Sequence, residues 1–243
     1  MTESSVIKVV EFSNLFRLRN VKLNGVDNAG LEFINLNNTY GQVINRNSNI
    51  TIVNLYASIQ PYFGHFSYGI ADKLQANYIS NEVFSTLSFL KENQINMVLN
   101  ESYVNASDMH PTLNELTSNL RNLIAKDSVC VLFVNAASNE NLMQFNVGAE
   151  KGDHTFENGS FFSDKKTLNR LFSKAETLGV KYNMKVLRHG TVGHPGQNHI
   201  SNFITQELNC DLLMLHVNVG ILKKKGKEYY QHMDEFAGVL SLD

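Results

Sequence analysis

From residue 50 onward, short runs that are apolar on every side alternate with longer stretches of helical period, and nothing else in the chain restricts its fold as much. The apolar runs fall at 50–56, 95–100, 129–135, 181–187 and 211–217, with "DSVCVLFV" and "DLLMLHVNV" as the clearest. A strand without a polar face has to be covered on both sides. That is the position of a parallel strand between two layers of helices.

The intervening helical stretches are 65–76, 81–91, 112–125, 163–178 and 197–208. In "HPTLNELTSNLRNLIAKD", Leu113, Leu116, Leu120 and Leu123 recur at helical spacing behind Pro111, which suits a first-turn position. In "FSDKKTLNRLFSKAETLGV", Ser163 or Asp164 is a candidate cap and Gly179 a candidate stop. Strand and helix in alternation predict an α/β fold, doubly wound about a mostly parallel sheet of the flavodoxin-like kind. Ahead of it, "SVIKVVEF", "LFRLRNVKL", "LEFINL" and "GQVINR" are separated by "NGVDNAG" and "NNTYG", whose Asn and Gly tolerate turns. The expected organisation is therefore an antiparallel β unit at 1–49 packed on an α/β domain at 50–243. Within the latter, the end of the chain from Cys210 reads as an extension that adds an edge strand against the N-terminal unit or makes a subunit contact.

Charge narrows the partners. The 243 residues carry 21 basic and 23 acidic side chains, a formal net charge of -2, without the basic surface that nucleic acid or an anionic membrane needs. "KKKGK" at 223–227 reads as a solvated turn. No run approaches the roughly 20 apolar residues of a membrane span, and the N-terminus has no secretory pattern. Cys130 and Cys210 lie inside apolar runs, where a thiol is a small hydrophobe rather than half of a disulfide. A cytoplasmic protein is expected. The abundant asparagine reads as compositional bias.

Ligands of an open parallel sheet gather beyond the carboxyl ends of its strands. That places Ser58, "ESYVNASD", the loop after Asn135 and "RHGTVGHPG" on one edge. A serine there could attack a carbonyl if a histidine took its proton and amides received the oxyanion; a lone serine ending a strand more often bonds to its own backbone.

In "LYASIQPYFGHFSYGIADKLQ" a strand ends in Ser58 before a helix, in "INMVLNESYVNASDMHPTLNELTSNLRNLI" a strand leads to Asn105 before a long helix, and "RHGTVGHPGQNH" places His194 before proline in a late loop. This order resembles the SGNH or GDSL-type hydrolases. The resemblance implies an SGNH-like serine esterase or acyltransferase without a cofactor, acting on a small-molecule or carbohydrate ester. Ser58 would be its nucleophile, His194 its base, and Asn105 an oxyanion donor. Tyr56 and Ala57 stand where that family has Gly-Asp, and Tyr103 where it has glycine before the asparagine. Thr191 stands where it has the acid that orients the histidine, and a threonine can orient an imidazole but cannot stabilise its cation by charge.

Two other readings stay open: a protein that keeps the fold and binds a carbohydrate or protein without catalysis, and a metal-dependent hydrolase. The second draws on His189, His194 and His199 at regular intervals, with Asp153 and His154 in an earlier loop. Imidazole and carboxylate from separate loops can hold zinc and activate water, although this spacing is no familiar zinc signature. His216, inside an apolar run, reads as a satisfied core histidine. Neither the substrate nor a homo-oligomeric state is specified.

Overall fold

The computed structural model of the chain describes residues 40–57, 61–81, 111–136, 142–146, 165–189, 200, 203–218 and 227–242. In chain order these form β1 (Gly41–Ile44), β2 (Ile50–Asn54), α1 (Pro61–Lys73), β3 (Asn77–Asn81), α2 (Pro111–Leu123), β4 (Val129–Ala136), β5 (Leu142–Asn146), α3 (Lys165–Tyr182), β6 (Lys185–His189), a π-helical turn (Phe203–Glu207), β7 (Asp211–Asn218) and α4 (Lys227–Leu240). The strands make one sheet in the order β1-β3-β2-β4-β7-β5-β6. β3, β2, β4 and β7 run parallel, while β1 pairs antiparallel with β3 and β5 antiparallel with β7. β6 then runs parallel to β5. The fold is thus α/β with a mostly parallel mixed sheet, and β1, from the expected N-terminal β unit, is its antiparallel edge.

Alternation along each central strand explains the two layers. Val129, Val131 and Phe133 of β4 face one core with Phe63 and Phe66 of α1, Leu171 and Ala175 of α3, and Met233 and Phe236 of α4. Cys130 and Leu132, pointing the other way, join Leu116, Leu120 and Leu123 of α2 with Phe203 and Ile204. Both faces of the sheet are therefore dry, as the unbroken apolar runs require. Edge-on aromatic pairs lock the first layer, with Phe63 against Phe133 at 5.7 Å and Phe66 against Phe236 at 5.2 Å.

Several boundaries differ from expectation. Among the described residues the segment from Cys210 supplies no edge strand: β7 lies between β4 and β5, in the middle of the sheet. Strands also form at 77–81 and 142–146, where the apolar signal is short and broken by Asn, Ser or Gln. Nor does Gly179 stop α3. The helix runs on to Tyr182 and closes at Asn183, in the left-handed region at φ 50°, with the Met184 amide donating to the Gly179 carbonyl at 2.8 Å. Glycine is needed at 179 for space, because a β-carbon would stand 2.5 Å from Val186 Cγ2 and 2.9 Å from the Met184 carbonyl oxygen. Asn47 and Asn209 also take positive φ, so part of the asparagine excess serves tight turns. No helix among the described residues is long and apolar enough to cross a membrane.

Candidate functional site

The strand order has a switch point. From β2 the chain crosses by α1, on one face, to β3; β4, on the other side of β2, follows α2, which covers the opposite face. The connections thus diverge beyond the carboxyl ends of β2 and β4, the kind of switch point where open α/β sheets take their ligands. The described residues there are Leu55, Tyr56 and Ala57 after β2, Val134 near the end of β4, and the start of α1 at Pro61.

Beneath this turn lies a polar network that the local sequence does not advertise. Asn54 ends β2 fully buried, its Nδ2 donating to Ser67 Oγ at 2.7 Å and to the Phe63 carbonyl at 3.2 Å. Its Oδ1 accepts from the Tyr56 amide at 2.9 Å. Ser67 is also 3.1 Å from the Tyr78 hydroxyl, and both reach the Gly64 carbonyl, at 3.0 and 3.3 Å. From β3, buried Asn81 donates to the Leu55 carbonyl at 3.0 Å. α1 packs closely over the turn, since a β-carbon on Gly64 would stand 3.0 Å from Ala57 Cβ. These groups are neutral. They hold backbone and offer hydrogen bonds, not charge.

The register adds Gln42 to the same face. It lies opposite Ser80, which lies opposite Asn54, and all three are buried. The signal that could have found this network is a polar residue closing an apolar strand, as in "ITIVN" and "NYISN".

Of the residues singled out in the sequence, Ser58, Asn105, Asp153, His154, Thr191, His194 and His199 lie outside the described residues. Ser58 belongs to the short link from Ala57 to Pro61. His189 ends β6, and its register with Asn146 fixes the direction of that strand. Because β5 opposes β7 while β2, β4 and β7 agree, β6 runs against β2. The carboxyl ends of β6 and β2 therefore lie at opposite edges of the sheet, and the expectation that these strands end at one shared edge is corrected.

The described histidines are dispersed. His65 in α1 stands edge-on to Tyr230 at 6.4 Å, and burial lowers its pKa to about 4. His232 in α4 lies 3.8 Å from the Tyr182 ring. His216 is half-buried in β7 and has polar or ring contacts of its own. Cys130 and Cys210 are buried free thiols. Burial raises both, Cys210 to about 11. Among the described residues no three His, Cys, Asp or Glu side chains come together in a way that could hold a metal ion.

No family model matches the chain, and no curated protein does. Solved structures do. A metallo-carboxypeptidase from Burkholderia cenocepacia aligns with a TM-score of 0.50 at 9% identity, over 79% of this chain and 55% of that one. This chain thus spans about half the length of that protein. A bacteriophage poly-gamma-glutamate hydrolase aligns at 0.48 and 8% identity, covering 84% of this chain and 89% of its own. A succinylglutamate desuccinylase from Chromobacterium violaceum aligns at 0.41 and 13%, over 79% and 61%. At these identities the likeness is one of fold.

The fold shared with the metallo-carboxypeptidase overturns the SGNH or GDSL-type resemblance, and with it the serine esterase or acyltransferase built on Ser58, His194 and Asn105. The resemblance rested on the order of a strand-end serine, an asparagine and a late histidine loop, an order that layered α/β chains of different topology share. It also needed the first and last of these at one edge, and the antiparallel step from β7 to β5 turns the histidine strand the other way.

Proposed function

We propose that the chain is a metal-dependent hydrolase that cleaves an amide bond, as a carboxypeptidase does. The observation that carries this reading is the shared fold with the metallo-carboxypeptidase at a TM-score of 0.50. The chemistry the ion supplies in such an enzyme is activation of water and polarisation of the carbonyl. The described residues by themselves do not make a ligand set, so the set draws on the rest of the chain, where His194, His199, Asp153 and His154 are the candidates, with His189 at the end of β6 as a further one. Two free buried thiols support a reducing, cytoplasmic setting for it.

The test is metal analysis of the purified full chain together with turnover of a panel of peptides and N-acyl amino acids. One bound zinc per chain, activity lost to a chelator and restored by zinc, and loss in His194→Ala or His199→Ala are the expected results. Full turnover by metal-free protein would refute the reading.

A further inference from the structure

We draw no further inference here: the strongest candidate, the buried Gln42 side chain on β1, whose amide has no hydrogen-bond partner and which stands in register with Ser80 of β3, carries nothing because nothing among the described residues shows what covers it.

Discussion

Gly69 of α1 lies directly against Met233 of α4, with the thioether sulfur occupying the place where a β-carbon at 69 would project. Met233 is 2% exposed, in the core shared by α1, α4 and the sheet. The two helices are also joined at their surface by the Lys73–Asp234 ion pair. The close approach of the backbones depends on the missing side chain.

Gly69→Ala should therefore destabilise the protein. Overpacking a filled core costs about 1–3 kcal/mol, which outweighs the roughly 1 kcal/mol that alanine gains over glycine in a helix. Gly238 in α4 is the control, with nothing within 4 Å of an added β-carbon. Gly238→Ala should raise stability by about 0.5–1 kcal/mol. Urea midpoints of the two variants, moving in opposite directions, would bear this out; a stabilised Gly69→Ala would not.

Asn77 is the hub of the opposite edge. Its Nδ2 donates to the Ser48 carbonyl at 2.9 Å, the Leu123 carbonyl at 3.0 Å and Thr51 Oγ1 at 3.2 Å, while Oδ1 accepts the amides of Arg46 and Ser48. Asn77→Ala strands buried groups from β2, α2 and the β1–β2 link together, and should cost about 3 kcal/mol or more. Thr51→Val removes one hydroxyl, which donates to Leu123 at 3.4 Å and accepts from Asn77 at 3.2 Å, and should cost less than about 1.5 kcal/mol because Asn77 and Leu123 keep their bond to each other. Equal losses in chemical denaturation would count against the hub.

His65 should make the fold sensitive to mild acid. Burial holds its folded pKa at about 4, against an unfolded value of roughly 6.5. Above the unfolded value both states are neutral and stability is complete. As pH falls from there, the unfolded chain takes up a proton that the folded one refuses, so stability drops towards pH 4 by up to about 3 kcal/mol. His65→Phe should flatten that part of the profile. A difference between variant and wild type that does not change with pH would refute it.

The two thiols should be inert in the folded protein. Cys130 is fully buried between strands, Cys210 is almost so, and burial raises both pKa values. Because the thiolate is the reactive species, neither should be alkylated by iodoacetamide at neutral pH, and both should label in denaturant. Rapid native labelling followed by mass spectrometry would contradict this.

Taken alone, the order of residues determined which segments bury themselves. β2, β4 and β7 are legible as unbroken apolar runs, and α2 and α3 as periodic ones, because side-chain alternation is set by the backbone geometry of each segment by itself. Strand order and direction were decided only in three dimensions. Nothing within "LMQFN" says that it reverses the sheet, and nothing within "DLLMLHVN" says that a strand from late in the chain lies at the centre, since pairing joins residues far apart in sequence. The site divides the same way. Asn54 and Asn81 look like ordinary strand-end polar residues until α1 and β2 supply the groups they bind, and the direction of the histidine strand follows from its neighbours rather than from its own sequence.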